Sequence, residues 1–268
     1  MIPHFQNFKH VQSFIAYEAH NLSFIPHIHS HYELVYVTQG SVQVTVDSIT
    51  YDLSPHDFCL IASHSLHSFH TPHFSNCILV IIDTQYIMSF TTEFQKKKIA
   101  SPLISFKPYQ EELHQCISIL SKSNPTTSNQ LILKGYLCIL LGRIYECSTL
   151  LPKTHTYLST LESILIYMNE HYTTSLTLSQ VASDLNLSKY YLSKLFNTHL
   201  GYGFNEYLNH LRINLAKNLL LESHSSITSI SYECGFENQR SFNRAFKTIT
   251  HFTPSEYRSN YQNREPSK

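Results

Sequence analysis

Missing from the chain are a C-x-x-C pair, a net charge, a low-complexity tract and a long apolar run, and each absence narrows what it can be. The six cysteines (Cys59, Cys77, Cys116, Cys138, Cys147 and Cys234) are scattered singly. The first residues form neither the basic leader nor the apolar core of a secretory signal. Both features fit a reduced, cytoplasmic protein. The most apolar stretch, 131–144, is interrupted by Lys134 and Arg143. It falls short of the ~20 residues a spanning helix needs, so no membrane partner is expected. With 42% hydrophobic residues over 268 positions, there is enough apolar material for packed cores and room for two domains. The zero net charge is unevenly spread. Residues 188–268 hold ten Lys and Arg against six Asp and Glu, a modest basic excess.

What is there is organised around residues 226–258, SITSISYECGFENQRSFNRAFKTITHFTPSEYR. Ile227, Ile230 and Cys234 keep helical spacing, Gly235-Phe236 breaks it, and Phe242 and Phe246 resume it. Gln239, Arg240, Ser241, Asn243 and Arg244 surround those two phenylalanines, with Lys247 following. A helix, a glycine turn and a second helix with a polar, basic face describe a helix-turn-helix. Arg, Asn and Gln are the side chains that make bidentate contacts to guanine and adenine edges in the major groove.

The N-terminal part reads as short strands. Val42, Val44 and Val46 alternate with Gln43, Thr45 and Asp47, the period of a half-buried strand. Residues 33–38 precede them, and Gln39-Gly40 predicts a hairpin between the two. Asp47-Ser48 and Ser54-Pro55-His56-Asp57 mark further turns, and 77–82 suits a buried strand. Several short, evenly spaced strands indicate a barrel or sandwich. His27, His29, His31 and Glu33 share parity, so one unbroken strand would project all four from one face. Three readings stay open for such a group: a divalent-metal site, a polar lining for a small ligand, or structural hydrogen bonds. The small-ligand pocket is preferred.

In the middle, Lys96-Lys97-Lys98 reads as a solvated loop or helix face. Leu113, Cys116, Ile117 and Leu120 keep helical spacing, and 123–128 is a loop by composition. Leu131, Leu133, Tyr136, Leu137, Leu140, Leu141 and Ile144 form a helix apolar almost all round, which calls for burial on more than one side. Residues 109–148 are therefore expected to form a helical hairpin, with a partner subunit covering the outer face. The alternative is burial within one chain. Residues 151–156, with Pro152, read as a linker.

Leu158, Leu161, Ile164, Leu165 and Met168 open the C-terminal half with an amphipathic helix. Thr177-Leu178-Ser179-Gln180 has the capping-box form. A short helix follows to Leu185, and Ser188 caps another that Gly201-Tyr202-Gly203 stops. The segment Leu192-Ser193-Lys194-Leu195-Phe196 matches Phe242-Asn243-Arg244-Ala245-Phe246 at an offset of 50 residues. Residues 204–221 would join the two readers. At ~1.5 Å per residue this helix spans about 27 Å, against the ~34 Å between successive major grooves on one face. Thr253-Pro254-Ser255-Glu256 is a second capping box.

Two resemblances follow. His27, His29, Glu33 and Gly40 fit the first conserved motif of the cupin barrel, H-x-H-x(3)-E-x(6)-G, and His67 stands near the histidine of the second motif. Asn21 and His56 occupy positions where those motifs carry glycine. Residues 158–258 resemble the DNA-binding module of the AraC/XylS family of transcription regulators. The first unit matches in Val181-Ala182, Leu185, Leu187-Ser188, Leu192-Ser193, Phe196 and Gly201. The joining helix matches in Tyr207-Leu208, Leu211-Arg212, Ala216 and Leu219-Leu220. The second unit matches in Ile227, Ile230, Gly235-Phe236, Phe242, Arg244, Phe246-Lys247, Thr253-Pro254 and Tyr257-Arg258. Ser231 stands for the usual alanine, Asn197 for lysine and His251 for glycine. The resemblance implies base-facing roles for Tyr190, Ser193 and Lys194, and for Gln239, Arg240, Asn243 and Arg244 with Lys247. Leu192, Phe196, Phe236, Phe242 and Phe246 are core residues.

The expected architecture is α+β. A cupin-like barrel with a helical hairpin occupies 1–150, for effector sensing and dimerisation, and an all-α double helix-turn-helix domain occupies 158–260. The expected function is a DNA-binding transcription regulator, an activator by the resemblance, working as a homodimer with RNA polymerase. A small-molecule effector would bind at His27, His29, Glu33 and His67, and no catalytic residue or cofactor is assigned. The alternatives are a metal-dependent cupin enzyme with a helical accessory region and a helical interaction module that never touches DNA.

Overall fold

A computed structural model of the chain describes residues 14–83, 97–122, 129–152 and 160–262. The expected loop at 123–128, Lys96, Leu158, Arg264 and Lys268 lie outside them. The chain divides into two compact units, with the boundary between residues 157 and 158.

The first unit is built on two antiparallel sheets. β1 (Phe14–His20), β3 (Tyr32–Gly40), β6 (Phe58–Ile61), β8 (Ser75–Ile82) and β10 (Leu103–Ile104) form one, in the order β1-β8-β3-β6-β10. β2 (Phe24–His27), β4 (Val42–Val46), β5 (Ile49–Leu53) and β7 (His67–His70) form the other, in the order β2-β7-β4-β5. Residues 32–37 of β3 are buried without a break. Parity explains why: Tyr32, Leu34 and Tyr36 join a core shared with the helices, whereas Val35 and Val37 join a second core with Val42, Val44, Leu53 and Phe69 of the other sheet. The five-stranded sheet is thus covered on both faces, which is why its strands read as apolar runs and not as alternation.

The hairpin expected at Gln39-Gly40 does not form. β3 pairs with β6 and β8, and β4 pairs with β5 and β7, so the chain changes sheet at Gly40. Gly40 has φ +71°, and a Cβ there would lie 2.1 Å from the carbonyl oxygen of Phe74, so only glycine turns this corner. The true hairpin is one turn later. Asp47 (φ 48°) and Ser48 (φ 71°) form the two-residue loop between β4 and β5, with the positive angles of a type I′ turn.

Helices α1 (Gln110–Lys122) and α2 (Gln130–Cys147) form the expected hairpin and bury Leu113, Ile117, Leu120, Leu133, Leu137, Leu140 and Ile144 in the helix-side core. Arg143 of α2 pairs with Glu112 of α1 at 2.9 Å. Burial of α2 on every side is not realised within one chain: Leu131 is 82% exposed and Ile132 60%. Two local expectations are corrected. Lys97 and Lys98 are not on a loop or helix but in β9 (Lys97–Ile99), and Leu151-Pro152 is not linker but part of β11 (Leu150–Pro152). The two strands pair, because edge pairing satisfies backbone groups whatever the side chains.

The second unit is helical: α3 (Thr160–His171), α4 (Leu178–Asp184), α5 (Lys189–Leu195), α6 (Phe204–Glu222), α7 (Ile227–Glu233), α8 (Gln239–Thr250) and α9 (Pro254–Gln262). A single π turn, Phe196–Leu200, extends α5 to Gly201, whose φ of 73° ends it. At ~1.5 Å per residue α6 spans about 28 Å. Among the described residues no helix is long and apolar enough to cross a membrane.

Candidate functional site

Two reader helices are set by side-chain caps at their first turns. Ser188 Oγ accepts from Tyr191 N at 3.1 Å and starts α5. Asn238 Oδ1 accepts from Ser241 N at 2.8 Å and starts α8. The Thr177 box is only half made: Thr177 Oγ1 accepts from Gln180 N, but the Gln180 amide turns away and donates to Asp184 Oδ1 at 2.7 Å. The second box is complete, since Thr253 N donates to Glu256 Oε2 at 2.8 Å and Glu256 N donates to Thr253 Oγ1 at 3.2 Å.

On α8, Phe242, Ala245 and Phe246 are buried, so helical spacing turns Arg240, Asn243, Arg244 and Lys247 outward, and all four are exposed. Gln239 is half-buried and its Oε1 accepts from Thr228 Oγ1 of α7 at 2.9 Å, which ties the start of α8 to the preceding helix. On α5, Leu192 is buried, Tyr190 is 79% exposed, Lys194 is exposed and Ser193 is half-buried. Asn197, where lysine was expected, donates to the Ser193 carbonyl at 2.9 Å. Two residues on this surface escape periodicity. Tyr191 is exposed beside Tyr190, and Ser255 lines a cleft of about 460 Å³ with Asn243, Arg244 and Lys247. Only the folded chain brings α9 against α8.

The joining helix holds both readers. Gly235, between α7 and α8, has φ +84°, and a Cβ there would lie 2.6 Å from the Thr173 carbonyl oxygen, so the turn rests directly on the backbone that follows α3. Arg212 of α6 donates from Nη2 to the Thr174 carbonyl at 2.8 Å, with its guanidinium 5.4 Å from the Phe236 ring. Ser231, in place of alanine, is fully buried and donates to the Thr228 carbonyl at 2.7 Å.

The barrel brings His27, His29, Glu33 and His67 together, with one ligand atom from each lying within 4.8 Å of the others. The unbroken strand on which parity was argued does not exist. β2 ends at His27 and β3 begins at Tyr32, and the loop between them carries His29 inward. His31 is not part of the group, although its ring stands 6.0 Å from that of His29. His67 is opposite His27 in the β2–β7 pair, with ring centroids 4.0 Å apart. Glu33 Oε2 lies 3.0 Å from His29 Nε2 and 3.3 Å from His67 Nε2. Burial raises the cost of ionising Glu33, but the hydrogen bonds to His29 and His67 outweigh it and hold the carboxyl well below its ordinary pKa. Burial, followed by the neighbouring imidazoles, lowers that of His27, and burial lowers that of His29. Tyr17 and Cys59 also feel this site: burial first, then the Glu33 charge, raises Tyr17 and pushes the Cys59 thiol up to about 12. Three imidazole nitrogens and a carboxylate oxygen form a donor set suited to a divalent transition metal, and equally a polar floor for a small ligand.

Residues 181–260 match the helix-turn-helix domain family, and residues 10–77 match the AraC-like ligand binding domain. The chain is 26% identical over 256 residues to the Msm operon regulatory protein of Streptococcus mutans, covering 90% of this chain and 88% of that protein. It is 39% identical over 107 residues to the HTH-type transcriptional regulator YijO of Escherichia coli. That second match takes in 40% of this chain but only 38% of YijO, so it is a likeness of one region. Among solved structures, ToxT of Vibrio cholerae superposes with a TM-score of 0.57 at 16% identity, over 92% of this chain and 98% of ToxT, which is a likeness of fold.

Proposed function

Because the chain belongs to the AraC/XylS family of DNA-binding transcription regulators, with an AraC-like ligand-binding domain ahead of its helix-turn-helix domain, we propose that it is an effector-responsive activator that reads DNA through α5 and α8. The family is one of regulators, which sets aside the cupin-enzyme alternative. The observation that carries the reading is the face of α8. Arg240, Asn243, Arg244 and Lys247 stand outward on a helix whose other side is locked by Phe242 and Phe246. Gln239 joins them at the N-terminal end, where a recognition helix meets base edges. Tyr190, Ser193 and Lys194 form the second contact, and α6, about 28 Å long, spaces the two for successive major-groove segments.

The barrel cluster His27, His29, Glu33 and His67 is the effector site in this reading. Its polar, buried floor suits a small molecule with polar groups. Residues 1–150 would sense and dimerise, and 158–260 would bind DNA. Homodimerisation uses the outer face of α2, where Leu131, Ile132, Ile139 and Tyr145 are exposed. A second copy is the partner that a helix apolar on both faces requires. Effector binding then alters which pairs of half-sites the dimer can span, and the bound dimer recruits RNA polymerase in the cytoplasm.

The test is selection from a genomic fragment library with the purified full chain, across a salt series. Recovery of a common sequence, bound more tightly than random duplex, is the expected result. Salt-sensitive binding with no sequence preference would sink the regulator reading in favour of a nonspecific DNA coat. Addition of a cell-metabolite extract should shift the affinity for the recovered sequence.

A further inference from the structure

Thr228 and Gln239 meet across the second helix-turn-helix. Thr228 is the second residue of α7 and Gln239 the first of α8, 11 positions apart, and the Thr228 hydroxyl donates to Gln239 Oε1 at 2.9 Å. Thr228 is exposed and Gln239 half-buried. Gln239 also borders the cleft that Asn243 and Arg244 line, so the pair belongs to the outward face and not to the core.

The sense of this bond has a physical reason. The terminal torsion of a glutamine has two wells, related by a flip that exchanges the oxygen and the amino group. Both partners lie at helix N-termini, where N–H groups without a helical partner carry partial positive charge. An oxygen turned toward that charge is favoured over an amino group. The first turn of α7 also offers the Thr228 hydroxyl no carbonyl of its own helix, so its proton goes to Gln239 Oε1.

What the pinned amide shows to DNA follows from its donors and acceptors. Oε1 has two lone pairs, one taken by Thr228 and one left, and Nε2 keeps its two N–H groups. An acceptor beside a donor, in fixed order, complements the adenine edge, which carries the N6 donor and the N7 acceptor. Guanine sets two acceptors, O6 and N7, in the same place, so the fixed oxygen would face O6 with no proton between them. An amide free to flip escapes this, since its amino group can then donate to guanine or thymine.

We propose that Thr228 is a positioning residue for base readout: it locks the Gln239 amide in one sense and so makes Gln239 selective for adenine. This rests on the reading of α8 as a major-groove helix. Gln239 touches the base, and Thr228 acts through it.

In the test, the full-length parent and its Thr228→Val, Thr228→Ser and Gln239→Ala variants each select from a synthetic duplex library with a randomised core. Base frequencies are then compared position by position. The parent should yield a position where adenine is favoured about tenfold or more over every other base, and Gln239→Ala should erase the preference there alone. Thr228→Val keeps the shape and removes the hydroxyl. It should bring that preference to within about threefold, with guanine and thymine gaining most. Thr228→Ser keeps the hydroxyl and should hold the parent's selectivity, which a purely steric role would not require. Should the valine variant melt early, Thr228→Ala carries the same expectation.

An adenine preference that survives loss of the hydroxyl overturns the lock. So does a Gln239-dependent position that prefers another base, or a Gln239→Ala variant that leaves every position as in the parent. Weakening spread evenly over all positions by Thr228→Val overturns it too, and makes Thr228 a structural residue or a phosphate contact. In each of these cases a sequence is still recovered and the regulator reading stands. Recovery of no sequence by the parent overturns that reading and the role of Thr228 with it.

Discussion

Arg212, on the helix that joins the two readers, donates from Nε to the carbonyl of Tyr172 at 2.7 Å. The same guanidinium reaches the Thr174 carbonyl, and between those two residues lies Thr173, the backbone on which Gly235 rests. One side chain therefore fixes the segment after α3, the joining helix and the turn of the second reader. Arg212→Ala leaves buried carbonyls short of a donor and should destabilise by about 2–3 kcal/mol. Arg212→Lys should recover little of this, since an ammonium lacks the planar fork. Urea unfolding of both variants measures it. A loss confined to DNA affinity, with stability intact, would place Arg212 in contact with DNA and not in this clamp.

Gly235→Ala tests the same joint from the other side. The added Cβ meets a carbonyl oxygen at 2.6 Å and the residue must keep φ +84°. Strain and overpacking together should cost about 2–4 kcal/mol. An alanine variant as stable as the parent in urea would show that the turn is free to move off Thr173.

Three departures from family glycines were visible in the sequence, and all three residues take left-handed backbone: Asn21 at φ 51°, His56 at 76° and His251 at 65°. Asn21 and His56 also make hydrogen bonds through their side chains, to Ser75 N and the Tyr36 hydroxyl. His251 ends α8 from an exposed position and is the cleaner probe. His251→Gly should stabilise by about 0.5–1 kcal/mol, read as a higher melting temperature. A lower one would mean that the imidazole itself holds the turn.

Much else was legible for local reasons. Caps at Ser188 and Thr253, the buried Phe242 and Phe246, and the two-residue turn at Asp47-Ser48 each depend on residues a few positions apart. Strand pairing does not. Nothing near Gly40 says that β3 and β4 belong to different sheets, because that is decided by Phe74 thirty-odd residues on. The histidine cluster was legible by parity for the wrong reason. The strand breaks after His27, and it is the loop that returns His29 while leaving His31 aside.

The capping box of α9 predicts a pH dependence. Its backbone bond to Thr253 is the first cause holding the Glu256 pKa below its ordinary value. A carboxylate whose folded pKa is depressed stabilises fully above the unfolded value, and that contribution disappears as pH falls through the folded one. Glu256→Gln should therefore melt below the parent near neutral pH and converge on it as the pH falls below the ordinary carboxylate range. A gap that persists in acid would assign the effect to shape, not charge.

Arg244 and Lys247 lie one helical turn apart on the exposed face of α8, and they should fail differently. Arg244→Ala removes a bidentate reader, so specific affinity should drop by about 1–3 kcal/mol while random duplex is bound nearly as before. Lys247→Ala removes a point charge, so all sequences should weaken together and the slope of log K against log salt should fall by about 1. Fluorescence anisotropy on the recovered operator and on random duplex, each over a salt series, resolves the two. Equal loss on both duplexes for Arg244→Ala would make it a phosphate contact. Base reading would then move to Arg240 and Asn243, the remaining exposed groups on this face with bidentate chemistry.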